Sequence, residues 1–143
     1  MSNNTAAIEQ IKKLINEERA VPLTLKKDND IFDQYYAPKG FVVRPSGNPM
    51  GKKTWIELAN TPGVESKTEK ILDIHEVHVS ASEDMAWAVY TVHSQFTFKG
   101  EDQDDIAVFT GVFTKIDNAW KTSVLHRSTG RKPGVEMPNF KEY

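Results

Sequence analysis

The first part of the chain carries the hydrophobic spacing of amphipathic helices. One side of a 3.6-residue period is apolar from Thr5 to about Ala20, which predicts a first helix that Pro22 ends. A short second helix is predicted after the capping residues 28–30, and a third over residues 51–60. The apolar positions of the first two helices are Ile8, Ile11, Leu14, Ile15, Ile31, Phe32, Tyr35 and Tyr36.

The pattern changes to that of β-strands in the second half. A brief strand at residues 41–43 and a proline-rich loop at residues 44–49 come first. After residue 63, β-branched and aromatic residues dominate, and short turn-rich segments separate longer runs. An antiparallel meander is predicted, in which the acidic residues 101–105 form a solvated hairpin tip. Its four strands are Glu69–Val79, Met85–Lys99, Ile106–Asp117 and Ala119–Ser128.

The second of these strands alternates between a mainly apolar side and a mixed side, so both faces of the sheet are expected to be covered. One face would pack against the helices and the other against a partner subunit. The fold class predicted is therefore α+β, with N-terminal helices packed on a strongly curved antiparallel sheet. One domain is predicted at residues 5–130, followed by a C-terminal tail at residues 131–143.

Composition narrows the range of functions. The chain has 143 residues, which is the length of one domain, and its net charge of −2 provides no basic surface for nucleic acid. It has no cysteine, which excludes disulfides and thiolate metal sites, and no cofactor is expected. A polar N-terminus and the lack of a long apolar run predict a cytoplasmic protein without a membrane span.

The order of these elements resembles the nuclear-transport-factor-2-like (NTF2-like) superfamily, also called SnoaL-like, whose fold is a cystatin-like α+β roll. The segment WKTSVLHRSTG at residues 120–130 is similar to the end of the association (hub) domain of calcium/calmodulin-dependent protein kinases. The segment IHEVHV at residues 74–79 and the Glu83-Asp84 turn also resemble that domain.

This resemblance implies a conical pocket between the helices and the sheet, and a homodimer formed through the sheet face. It implies no particular activity, because the superfamily includes enzymes, transport adaptors and assembly hubs. The chain also departs from the hub pattern, since Val92 and Gly111 stand at or next to the places where the kinase hubs carry pocket arginines.

Four residues are candidates for ligand binding in such a pocket. Arg44 precedes the proline-rich loop, and its guanidinium could hold a ligand carboxylate or instead pin the loop in an ion pair. The aromatic residues Tyr36, Trp55 and Tyr90 could contact an apolar ligand or simply pack in the core.

Three residues, His126, Asp33 and Asp73, are candidates for proton transfer. His126 shares one face of the last strand with Thr122, Val124 and Ser128, and its imidazole could exchange a proton near neutral pH or bond to a backbone carbonyl. Asp33 lies among apolar residues and could act as a base, as could Asp73. Strict alternation places Arg127 on the opposite face from His126, as a surface or interface residue.

No metal site is predicted, because His75 and His78 point to opposite faces of a strand. Two functions of different classes remain open. The first is the binding of a small apolar or carboxylate-bearing molecule, with proton transfer of the isomerase or dehydratase type as the reaction it could support. The second is a non-catalytic oligomerisation module like the kinase hub, in which Trp87, His93 and Arg127 would matter more than the pocket.

Overall fold

The computed structural model describes residues 4–21, 29–135 and 140. Its helices are α1 at Thr5–Ala20, α2 at Asn29–Tyr35 and α3 at Lys52–Ala59. The apolar side of α1 is buried, as its spacing predicts, and the helix ends at Val21, where the backbone is extended. None of these helices is long and apolar enough to cross a membrane. The predicted roles of Pro22 and Asp28 lie outside the described residues.

Six strands form one sheet in the described part of the chain. They are β1 at Tyr36–Val43, β2 at Pro49–Met50, β3 at Glu65–Val79, β4 at Met85–Phe98, β5 at Glu101–Ile116 and β6 at Ala119–Arg127. Their order across the sheet is β2-β1-β6-β5-β4-β3. Neighbours are antiparallel except β1 and β6, which are parallel. The predicted four-strand meander is confirmed, and β1 extends it at one edge.

Bulges bend this sheet around the helices. β3 shifts register against β4 at three places, and each extra residue bends its strand and increases the local twist. On the inner face α1 contacts β3 and β6, and the buried core there includes Ile11, Tyr90 and Phe109. The predicted α+β fold, with an N-terminal helix packed on an antiparallel sheet, is confirmed.

The acidic residues 101–105 are not the hairpin tip that the sequence predicts. They belong to β5, because the turn between β4 and β5 needs only Lys99 and Gly100. These two residues have φ angles of 53° and 78°, the left-handed backbone of a type I′ turn. The acids are therefore held at strand spacing opposite residues 94–98.

β1 begins at Tyr36, earlier than the predicted strand at residues 41–43, and it contains Pro38 and Gly40. The strand tolerates both because its pairing with β6 shifts register between Tyr36 and Phe41. A β-carbon at Gly40 would lie 2.8 Å from the backbone oxygen of Thr122, so a glycine is needed where the two strands approach this closely.

A bulge in β6 reverses the predicted directions of its last residues. Val112 pairs with Val124 and Phe113 pairs with Thr122, which leaves Ser123 as an extra residue. Beyond the bulge, His126 is exposed on the outer face of the sheet, and Arg127 lines a cavity on the inner face. Strict alternation, which assumed an unbroken strand, predicted the opposite arrangement.

Part of the C-terminal tail stays attached to the sheet. The backbone of Arg131 exchanges hydrogen bonds of 2.7 and 2.8 Å with Ile106 of β5. Further along, the ring of Phe140 stacks on His75 with centroids 4.0 Å apart. The tail therefore contacts β3 and β5 in the residues that the structure describes.

Candidate functional site

A cavity opens between the end of α1, α3 and the inner face of the sheet. Its volume is about 170 Å³, close to that of an engineered cavity of about 150 Å³ that binds benzene. Its polar lining consists of Arg19, Glu65, Ser66, Glu69, Ser94, Thr97 and Arg127. Its apolar lining consists of Val21, Met50, Trp55, Leu58, Val64, Phe96, Phe98 and Phe109. The size and lining fit a molecule with one ring or a short branched chain.

Arg127 reaches this cavity from β6 because of the bulge at Ser123. Its side chain is 19% exposed, and its Nη2 lies 3.7 Å from Oδ2 of Asp105, which is longer than a hydrogen bond. Nη2 is buried and has no hydrogen-bond partner among the described residues. The Phe96 ring lies beneath the guanidinium, with its centroid 5.8 Å from Cζ. Arg127 therefore presents a buried donor whose hydrogen-bonding capacity is unused.

Burial lowers the pKa of Arg127 by disfavouring its charged form, and the nearby carboxylates of Asp105 and Glu69 only partly oppose this effect. The guanidinium still remains protonated, because the ordinary pKa of arginine lies far above neutral pH. The cavity therefore contains a permanent positive charge that is poorly solvated.

Arg19, the second arginine of the cavity, is already neutralised. Its Nε and Nη2 both donate to the carboxylate of Glu18, the latter at 2.6 Å. Tyr36 Oη donates to the same carboxylate at 3.0 Å, and all three side chains are buried. Burial alone would lower the pKa of Arg19, but Glu18 raises it well above the ordinary value. Burial, reinforced by Glu18, also raises the pKa of Tyr36, so its hydroxyl stays protonated and can donate.

Glu69 places a carboxylate in the wall of the cavity. Ser94 Oγ donates to its Oε2, and Arg19 Nη1 lies 3.8 Å from its Oε1. The Glu69 side chain is 23% exposed, so it contacts the open space of the cavity. The inner wall thus combines one guanidinium and one carboxylate with unused hydrogen-bonding capacity, beside an apolar aromatic surface.

Of the predicted ligand-binding residues, Trp55 lines the cavity and the others do not. Tyr36 and Tyr90 are buried in the core, where Tyr36 stacks on Phe32 and Tyr90 stacks on Phe109. Both tyrosines therefore pack in the core, which was one of the two alternatives for them. Burial raises the pKa of Tyr90 as it does that of Tyr36.

Arg44 and the predicted proton-transfer residues lie outside the cavity lining. Arg44 Nε donates to the backbone oxygen of Asn48 at 3.3 Å, which fixes the loop. Asp33 is exposed and forms an ion pair with Lys52, with Nζ 2.7 Å from Oδ1. His126 is exposed on the outer face and pairs with Val43 of β1. The structure therefore does not bring these three candidates together.

The remaining histidines and Asp73 face away from the cavity as well. Asp73 is 71% exposed and lies 3.4 Å from His75, whose Nε2 contacts Thr91 Oγ1 at 2.6 Å. His78 stacks on Trp87, and His93 bonds to Asp104. Across residues 4–21, 29–135 and 140, no group of three or more acidic or histidine side chains is placed to hold a metal ion.

Sequence reasoning missed the polar residues that define the cavity: Arg19, Glu69, Ser94 and Arg127. The sequence does contain one signal for Arg19. Glu18 and Arg19 stand just before the predicted end of α1, on the same side of the helix as its apolar residues. Glu69 and Arg127 gave no such signal, because bulges in β3 and β6 decide which way their side chains point.

Solved structures with the same fold define the class of protein. An NTF2-like protein of unknown function from Prochlorococcus sp. NATL2A is 28% identical, with a TM-score of 0.74, covering 92% of this chain and 96% of that chain. A putative calcium/calmodulin-dependent kinase II association domain from Exiguobacterium sibiricum is 13% identical, with a TM-score of 0.72, covering 94% and 99%. An NTF2-like protein with a cystatin-like fold from Novosphingobium aromaticivorans is 12% identical, with a TM-score of 0.63, covering 84% and 79%.

The fold is therefore that of the NTF2-like proteins, and the predicted resemblance to them and to kinase association domains is confirmed. Within this class, the chain belongs to the family described as protein of unknown function DUF3804, whose model matches residues 9–135. No curated protein matches the chain.

Proposed function

We propose that this protein binds a small carboxylate-bearing molecule in the cavity, with Arg127 holding the carboxylate. The observation that carries the proposal is the buried Nη2 of Arg127, which has no hydrogen-bond partner among the described residues. An unsatisfied buried donor costs about 1–3 kcal/mol, and more when it is charged. A carboxylate bound against the guanidinium of Arg127 would offset this cost with a charge-assisted hydrogen bond.

The other walls of the cavity suit the apolar body of such a molecule. Trp55 and Phe96 provide aromatic surface on which a ring or branched chain can pack. Phe109 is only 2% exposed, because Tyr90 stacks on its ring and the Cζ of Arg19 lies 5.0 Å from the ring centroid. The volume of about 170 Å³ is only slightly larger than that of the engineered cavity of about 150 Å³ that binds benzene, so the buried part of the ligand is about the size of one ring.

Benzoate and benzamide test the proposal by calorimetry, because they have nearly the same shape and only benzoate carries a charge. Benzoate is expected to bind at least about tenfold more tightly than benzamide. In Arg127→Gln, benzoate affinity should fall by about tenfold or more, since a hydrogen bond to a charged group contributes about 1.5–3 kcal/mol. The control Arg44→Gln removes an arginine that lies outside the cavity lining, and it should bind benzoate like the unmodified protein.

Equal binding of the two compounds would contradict the proposal. So would full benzoate affinity in Arg127→Gln. If the bound molecule is also turned over by proton transfer, the base must be a carboxylate of the lining, Glu65 or Glu69, because Asp33 does not face the cavity.

A second function, self-association through the outer sheet face, is favoured by a row of side chains that crosses five strands. The register aligns them side by side in neighbouring strands, and Trp87 and Phe41 are 42% and 36% exposed. We call this the outer row, and it consists of His78, Trp87, Val112, Val124 and Phe41. Adjoining exposed aromatic side chains on a sheet face favour a protein contact, and two structures with this fold are described as putative kinase association domains.

The partner we propose for the outer row is a second copy of this chain. Sedimentation of the unmodified protein should then give a dimer or larger assembly, and Trp87→Ser combined with Phe41→Ser should shift it toward the monomer. Val135→Ser, which alters an exposed apolar residue in the tail, is the control and should leave the assembly intact. A monomeric unmodified protein at micromolar concentration would refute this second function.

A further inference from the structure

The cavity contains a carboxylate as well as an arginine, and a simple anion would use only the arginine. Glu69 accepts from Ser94 through Oε2, while its Oε1 has only Arg19 Nη1 nearby, at 3.8 Å. That distance is too long for a hydrogen bond, so among the described residues Oε1 has no donor. Arg19 itself is committed to Glu18 through two hydrogen bonds. Glu69 therefore retains both negative charge and an open acceptor.

The charges around the cavity nearly cancel without a ligand, with three positive groups (Arg19, Arg127 and Lys132) and four negative ones (Glu18, Glu65, Glu69 and Asp105). Glu18 offsets Arg19, and Asp105 lies near both Arg127 and Lys132, at 3.7 and 3.0 Å. Glu69 and Arg127 both line this cavity, so a bound molecule can contact both charges. A simple anion bound at Arg127 would also meet the negative charge of Glu69. A ligand that also carried a positive charge would instead be attracted by Glu69.

We infer that the ligand is a zwitterion: an amino acid with an apolar side chain, whose carboxylate binds Arg127 and whose ammonium binds Glu69. This inference rests on the proposed function, because it keeps the carboxylate at Arg127 and adds a second polar contact. The ammonium supplies the donor that Glu69 Oε1 lacks, and the apolar side chain packs on Phe96 and Trp55. The bound molecule then has no net charge, which suits a cavity whose own charges nearly cancel.

Three compounds of nearly equal shape test this inference by calorimetry. Leucine has both charges, 4-methylpentanoate has only the carboxylate, and leucinamide has only the ammonium. Leucine is expected to bind about tenfold or more tightly than either of the others, because each of them leaves one of the two charged groups unpaired. Leucine at millimolar concentration should also raise the unfolding temperature.

Variants then separate the two contacts. Glu69→Gln should reduce leucine affinity about tenfold, while 4-methylpentanoate binds as well as before or better, since a like charge has been removed. Glu69→Asp keeps the carboxylate and should retain part of the leucine affinity. The control Glu76→Gln alters an exposed carboxylate of the same strand that does not line the cavity, and it should change neither affinity.

The outcomes distinguish this inference from the proposed function. If 4-methylpentanoate binds through Arg127 as tightly as leucine, the zwitterion is refuted and the carboxylate site stands. The same holds if Glu69→Gln leaves leucine affinity unchanged. If neither acid binds while benzoate does, the zwitterion is refuted and the carboxylate site stands. If neither acid nor benzoate binds, or if leucinamide binds as tightly as leucine, both are refuted.

Discussion

The buried ion pair between Glu18 and Arg19 should be one of the most sensitive points of this fold. The two side chains are 5% and 7% exposed, and Arg19 donates two hydrogen bonds to the Glu18 carboxylate. Glu18→Gln keeps the shape of the side chain but removes the negative charge that balances Arg19. The new amide NH₂ group can also point at the N–H donors of Arg19, where no hydrogen bond can form. Breaking a buried pair by removing one partner costs about 3–5 kcal/mol.

For this protein we expect a loss near the lower limit, about 3 kcal/mol, because Glu69 remains 3.8 Å from Arg19 and partly replaces the lost charge. A domain of this size loses about 2–4 °C in unfolding temperature per kcal/mol, so the melting temperature should fall by about 6–12 °C. Urea unfolding followed by tryptophan fluorescence gives the free energy of unfolding, and a thermal melt gives the temperature.

Two further variants test the physical reason. Glu17→Gln changes the preceding residue, which is exposed and 3.8 Å from Lys13, and it should cost less than about 0.5 kcal/mol. Adding Arg19→Met to Glu18→Gln removes the uncompensated charge and should restore part of the lost stability. The reasoning would be refuted if Glu18→Gln cost no more than Glu17→Gln, or if the double variant were less stable than Glu18→Gln alone.

Three smaller predictions concern the strands and their turns. Gly40→Ala should lower the free energy of unfolding by about 2 kcal/mol, because the added β-carbon would collide with backbone atoms. In the control Gly51→Ala, the β-carbon would have no neighbour closer than 4.0 Å, and the free energy of unfolding should change by less than about 0.5 kcal/mol. Asn118, with φ of 66°, should tolerate glycine, but Asn118→Val should cost about 1–2 kcal/mol in the same urea experiment. Hydrogen bonds from hydroxyl groups, with that of Ser82 the strongest, lower the pKa of Asp84 in the folded protein. The contribution of Asp84 to stability is therefore present above its unfolded pKa and is lost as the pH falls through its folded pKa. Ser82→Ala should raise the folded pKa of Asp84, which an NMR titration measures.

Most of the secondary structure follows from local patterns. The period of α1 and the alternation in β4 each require burial on one side only, and the structure buries those sides. The local signals were weaker at β1, where Pro38 and Gly40 suggested a break, and at residues 101–105, where five polar residues suggested a loop. In both places pairing with a neighbouring strand overrides the local preference.

The cavity brings together other residues than those that the sequence singled out. Trp55 lines the cavity, whereas Arg44, Asp33 and His126 do not line it. One extra residue at Ser123 turns His126 outward and Arg127 inward, because side chains in a strand alternate with a period of two. The sequence of β6 does not predict this bulge, because pairing with the partner strand β5 determines which residue is left unpaired.

Local sequence patterns indicate the class of structure and the groups that chemistry could use. The hydrophobic periods specify an amphipathic helix followed by long strands, and the absence of cysteine leaves acids, bases and hydroxyls for any site. Which of these groups lie close together depends on the tertiary structure. Arg19, Glu69 and Arg127 come from α1, β3 and β6, and they share a cavity only because bulges and strand pairing set their directions. Periodicity is a local property, whereas the direction of a side chain after a bulge depends on a partner strand far away in the sequence.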